Sequence, residues 1–117
     1  PFITAENMND AIHTMAIFGA DSLISVRQET NLFFQHSGNG LEPILNRDKF
    51  TRLEREALYR FTGGLNLTKI ALFEAEKTFL GGRVGHIVIH QKEALSLRSD
   101  FDLQLARLLA MQTAKAQ

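Results

Sequence analysis

His86 and His90 stand four residues apart, a spacing that on a helix would place both imidazoles on one face, within reach of a shared metal ion. The residues between them, Ile87-Val88-Ile89, are β-branched and favour a strand. Four strand residues span about 13 Å, too far for one ion, so the reading is that the chain binds no metal. His13 faces away from the main apolar stripe of its segment and His36 stands at a loop entrance, both as ordinary surface or packing residues. Pro1 could be read as a free secondary amine for proton transfer, but the residues after it run into a helical pattern, no basic set surrounds it in the sequence, and it is given no role. Ser37-Gly38-Asn39-Gly40 could cradle an anion on its backbone amides, yet it lacks the Lys-Ser/Thr of a phosphate-binding loop and reads as a turn. Gly81-Gly82-Arg83-Val84-Gly85 follows a helix and precedes a strand, the reverse of a dinucleotide fingerprint. No Gly-x-Ser-x-Gly and no nucleophile–base set occurs, so no residue is assigned as catalytic and no complete active site is expected.

Composition narrows the class. The chain has 117 residues, 44% hydrophobic and 22% charged, which suits one globular domain with a core of its own. Thirteen basic residues balance thirteen acidic ones, so the broad cationic surface of a general nucleic-acid binder is absent. With no cysteine, disulfides and thiolate chemistry are excluded, as suits a reducing compartment. No apolar run approaches the roughly 18 residues of a membrane span and no secretory leader is legible, so a cytoplasmic protein without a transmembrane segment is expected. The balance is uneven along the chain: residues 1–46 carry net −4, residues 47–69 net +3, and the stretch after residue 82 net +2.

The elements that must position these residues follow from periodicity. Met8, Ala11, Ile12, Met15 and Ala16 form an amphipathic stripe, with Thr4 as N-cap, Glu6 in the first turn and Gly19 as the stop. Ser22–Gln28 and Asn31–His36 read as a first hairpin. From Asn46 to Phe61 the helical period returns through Phe50, Leu53, Ala57, Leu58 and Phe61, and Gly63-Gly64 is expected to end it. A further helix is expected from about Asn66 towards Phe79. Val84–His90 and Leu95–Arg98 then read as a second hairpin. Ser99-x-x-Asp102 caps a last helix whose broad apolar face is Phe101, Leu105, Leu108, Leu109 and Met111. The expected fold is α+β over residues 1–117, in the order α-β-β-α-α-β-β-α, with two hairpins forming a small sheet and helices packed on it.

The order of the punctuation is more specific than any one motif. The segment Ala11-x-x-x-Met15-x-x-x-Gly19-Ala20-Asp21-Ser22-Leu23-Ile24 resembles the opening of the N-terminal domain of traffic ATPases, the hexameric motors of type II and type IV secretion and of type IV pili. Gly38-Asn39-Gly40-Leu41-Glu42-Pro43, Phe61-Thr62-Gly63-Gly64-Leu65-Asn66-Leu67, Gly81-Gly82-Arg83-Val84 and Leu95-Ser96-Leu97-Arg98 are similar, in order, to later landmarks of that domain, so the likeness covers about residues 8–98.

The resemblance implies a PAS-like domain that precedes a RecA-like core. That core would hold ATP and Mg, while this chain itself holds no cofactor. In the family the N-terminal domain packs on a neighbouring subunit and swings as nucleotide turns over, and its arginines can reach phosphates; Arg83 and Arg98 match two of those positions. The pattern departs at Phe34-Gln35-His36 and at Ile87, where arginines are common in the family, and Asp21-Ser22 reverses the usual order. A docking role is therefore the expectation: self-association, as a hexamer in full-length context or a dimer alone, and contact with secretion or pilus machinery in the cytoplasm or at the inner membrane. Two other classes fit the composition. One is a stand-alone, roadblock-like homodimeric scaffold; the other is a transcriptional regulator using the basic 47–69 segment.

Overall fold

The computed structural model describes residues 1–44 and 58–116. The chain divides into two compact units, Pro1–Arg27 with Phe61–Gln117, and Gln28–Arg60. The fold is α+β: three helices, a mixed three-stranded sheet and a separate two-stranded hairpin among the described residues.

The first helix, α1 (Ala5–Phe18), forms as its caps dictate. Thr4 Oγ1 accepts the Asn7 amide at 3.1 Å, and Asn7 Oδ1 accepts the Thr4 amide at 3.0 Å, which closes a reciprocal capping box. Gly19 ends the helix in the left-handed region at φ 59°. Because Asn7 turns inward to make this cap, the buried side is Asn7 and Ala11, with Met15 half-buried. Met8 and Ile12, expected on the core stripe, lie at the surface, 49% and 54% exposed.

β1 (Ser22–Glu29) is the central strand of the sheet, between β4 (Leu58–Thr68) and β5 (Val84–Val88). It pairs with β5 in parallel, Leu23 opposite Gly85 and Ser25 opposite Ile87. Its contacts with β4 step in opposite senses, Asp21 with Lys69 and Ser25 with Leu65, so that pair runs antiparallel. The core is Ala11, Leu23, Ile87 and Ile89, flanked by Ile3, Met15, Leu65, Leu67 and Ala94. In the second unit, β2 (Phe34–His36) and β3 (Leu41–Pro43) form a hairpin closed by the Ser37 amide on the Gly40 carbonyl at 2.9 Å.

Four expectations are corrected. The first hairpin joins β2 to β3, not β1 to β2. The expected helix over 46–61 lies mostly outside the described residues, but Leu58–Phe61 belongs to β4, which runs on through Gly63-Gly64 to Thr68. The next helix, α2, is shorter than expected, Ile70–Glu76. Leu95–Arg98 forms no strand: β5 pairs with β1 instead, and the Ser96 hydroxyl donates to the Thr62 carbonyl at 2.9 Å.

The last helix, α3 (Asp100–Ala116), starts where the sequence places it, with the Asp102 amide on Ser99 Oγ at 3.2 Å. Most of its expected core face is turned outward: Phe101, Leu108 and Met111 are 70%, 59% and 55% exposed, while Leu109 is half-buried and Ala106, outside that face, is buried. Helix α2 ends on Lys77, a non-glycine residue held at φ 55°. Lys77→Gly is therefore expected to stabilise the fold by about 0.5–1 kcal/mol, read as a rise in urea midpoint without a change of slope.

Candidate functional site

Two of the motifs that carry the resemblance, Gly19-Ala20-Asp21-Ser22 and Gly81-Gly82-Arg83-Val84, meet at one end of the three-stranded sheet. The Gly19 stop reverses the chain so that Ala20 is buried and Asp21-Ser22 enters β1. The Asp21 and Ser22 amides both donate to the Arg83 carbonyl, at 2.8 and 3.3 Å. In return Asp21 Oδ2 accepts the Arg83 amide at 2.8 Å. The Asp21 carbonyl accepts the Lys69 amide at 3.0 Å, which ties in the end of β4. Ser22 Oγ donates to the Gly81 carbonyl at 2.8 Å and accepts the Gly81 amide at 3.2 Å. Thr68 Oγ1 donates to the Phe79 carbonyl and fastens the segment that follows α2. Three turns far apart in sequence are thus locked by one aspartate, one serine and one threonine.

This arrangement holds backbone and leaves little for chemistry. Ser22 is fully buried and its hydroxyl is used as both donor and acceptor, so it offers no nucleophile. Asp21 spends Oδ2 on a backbone amide and sets Oδ1 3.9 Å from Lys69 Nζ, an ion pair of two half-exposed side chains worth little to stability. Gly82 closes the node. It sits at φ +62°, and a Cβ there would come within 2.5 Å of Asp21 Oδ2 and 2.7 Å of Asp21 Cβ.

The arginines singled out by resemblance stand apart in role. Arg83 engages the node through its backbone N–H and C=O while its side chain is exposed at the start of β5. Arg98 precedes α3, where its amide donates to Asp102 Oδ2 at 3.0 Å and its side chain is also exposed. No hydrogen bond among the described residues links the two. The histidines are likewise dispersed. His13 and His86 line an open groove of about 500 Å³ between α1 and β5, with Asp10, Thr14 and Phe18. His90 borders a different groove of about 630 Å³, with Phe2, Lys92 and Thr113. Nδ1 of His36 accepts the Gly38 amide at 3.3 Å in the hairpin turn. Among the described residues no three His, Cys, Asp or Glu side chains are grouped to hold a metal ion.

The roles of three residues escaped the sequence reading. Arg27 reaches from the end of β1 to the Ile89 carbonyl, Nη1 to O 2.8 Å, and secures the chain just past β5. Ser25 and Thr62 form a buried hydroxyl pair at 2.6 Å between β1 and β4. The only advance signal was the hydroxyls of Ser22 and Ser25 inside an otherwise apolar strand, which require buried partners.

What the surface offers is apolar. Met8 and Ile12 on α1, and Phe101, Leu105, Leu108 and Met111 on α3, lie outside the core. Among the described residues no helix is long and apolar enough to cross a membrane. No protein-family model matches this chain, and no curated protein matches it.

Proposed function

We propose that this chain is a non-catalytic assembly and docking domain, of the kind the resemblance to traffic ATPase N-terminal domains implies. The observation that supports it is the outward display of large apolar side chains on both long helices, together with a node in which Asp21 Oδ2 and the Ser22 hydroxyl are spent on holding backbone. Such side chains gain free energy when another protein surface covers them. In this reading the domain works in the cytoplasm or at the inner membrane, as part of a hexameric secretion or pilus motor. Arg83 and Arg98 supply exposed cationic side chains towards a neighbouring subunit. ATP and Mg belong to a downstream core.

The test is the coding sequence that follows Gln117. It is expected to encode a Gly-x-x-x-x-Gly-Lys-Ser/Thr motif within about 30 residues, and the longer product is expected to form hexamers that hydrolyse ATP. A downstream sequence without that motif removes the motor reading. The homodimeric scaffold is kept as the second reading, because the outward face of α3 is one that a second copy could cover.

A further inference from the structure

We propose that α3 is a homotypic interface, which pairs antiparallel with α3 of a second copy through Phe101, Leu105 and Leu108, with Asp100 of each copy against Arg107 of the other. The proposal rests on the assembly reading only in its premise that protein covers the exposed apolar side chains. At 100° per residue, Phe101, Leu105 and Leu108 fall within about 60° of one another around the helix, and Met111 extends the stripe by a further 60° or so. The inner side of α3 carries the buried Ala106 with Asp102 and Leu109 half-buried, while Phe101, Leu108 and Met111 stay exposed.

Charge selects the occupant. Asp100 and Arg107 lie on the same edge of this stripe, separated by seven residues, as are Phe101 and Leu108. Seven residues are two turns, about 10.5 Å of rise. A two-fold axis crossing the helix between residues 104 and 105 places Phe101 opposite Leu108 of the other copy. Because an antiparallel pair brings like edges together, the same axis brings Asp100 to the edge that carries Arg107 of the other copy, offset by about 3 Å of rise, which the arginine side chain spans. Each contact occurs twice. The stripe is therefore complementary to itself in shape and charge. Within the chain, neither Asp100 nor Arg107 makes a side-chain hydrogen bond or ion pair among the described residues, so both are available.

The exposed stripe offers about 400 Å² per copy, near half of a standard interface, which sets a weak dimer. Sedimentation equilibrium from about 5 to about 500 µM is expected to show dimers with a Kd of about 10–100 µM. Leu108→Asp is expected to leave a monomer throughout. Asp100→Lys and Arg107→Glu should each weaken the dimer about tenfold, and the double variant should return to within about threefold of the parent. Thermal melts of the variants check that these exposed substitutions leave the fold intact, and Phe101→Glu serves in place of Leu108→Asp if that variant unfolds. A parent chain that stays monomeric overturns the pairing, as does a dimer indifferent to the apolar substitution or a double variant no tighter than the singles. None of these outcomes bears on the coding sequence after Gln117, so the pairing can fail while the motor reading stands.

Discussion

Gly82→Ala is expected to destabilise the fold by about 2–5 kcal/mol, a fall in melting temperature on the order of 10–20 °C. Two costs combine. A β-carbon at φ +62° meets its own carbonyl, which costs about 1 kcal/mol or more in any protein. The larger cost is local, because that carbon would stand 2.5 Å from Asp21 Oδ2 and 2.9 Å from Asp21 Cγ, well inside contact distance. Asp21 is poorly placed to yield. Its carboxylate holds the Arg83 amide, its own amide holds the Arg83 carbonyl, and its carbonyl holds the Lys69 amide. Moving the carboxylate strands a backbone donor; moving the backbone opens the start of both β1 and β5.

Gly19 supplies the internal control. Its φ is +59°, nearly that of Gly82, but a Cβ there would meet nothing within 4 Å. Gly19→Ala therefore reports the backbone cost alone, about 1 kcal/mol. The difference between the two variants in equilibrium urea unfolding measures the Asp21 contact. Equal effects would mean that Asp21 swings aside freely and that the node is not the bracket described above.

What could be read in the sequence was whatever neighbouring residues decide. Thr4 caps α1, Gly19 ends it and Ser99 caps α3, because caps and stops act over three or four residues. The α+β class followed from the alternation of periods. Strand partners were not legible. β1 pairs with a strand some sixty residues away, and its two serines broke the continuous apolar run that would have marked a central strand. Gly63-Gly64 suggests a helix stop just as well as an insertion within a strand, and only Ser25 on the neighbouring strand decides between them. The apolar stripe of α3 was visible, but not its direction. A 3.6-residue period marks the face to be covered without saying whether the chain's own core or another molecule covers it.

For the turns, the gain was of a different kind. Gly19-Ala20-Asp21-Ser22 and Gly81-Gly82-Arg83-Val84 stand as separate landmarks in the sequence, and the fold gives them a common physical reason. One buckles α1 into β1, the other feeds α2 into β5, and parallel pairing of β1 with β5 brings both turns to the same end of the sheet. Glycine and short polar residues suit this place because two backbones approach closely and the side chains of Asp21 and Ser22 bond their amides. Arg83 is tied into this node by its backbone alone, so Arg83→Ala should cost little stability, while any docking contribution of its side chain is lost.

Ser25→Ala is expected to cost about 2–3 kcal/mol, although it removes a single oxygen. Ser25 is fully buried and Thr62 is 4% exposed, so no water replaces what is lost. The proton count closes only with both hydroxyls present. Thr62 Oγ1 donates to the Ser25 carbonyl at 3.1 Å, which leaves it to accept from Ser25 Oγ at 2.6 Å. Ser25 Oγ in turn accepts the Leu65 amide at 3.1 Å, just past Gly63-Gly64 in β4. Alanine leaves that amide without its acceptor inside the sheet, and a buried unpaired donor is penalised by more than a formed hydrogen bond contributes. Thr62→Val keeps the shape of Thr62 and removes its hydroxyl, so the Leu65 amide keeps its partner while the Ser25 hydroxyl proton loses its short one. It is expected to cost less, about 1–2 kcal/mol. If the two hydroxyls act as one unit, the Ser25→Ala/Thr62→Val double variant will cost clearly less than the sum of the singles, by at least about 0.5 kcal/mol in urea unfolding. Additive losses would instead show that each hydroxyl serves its backbone partner independently, with the 2.6 Å contact contributing nothing of its own.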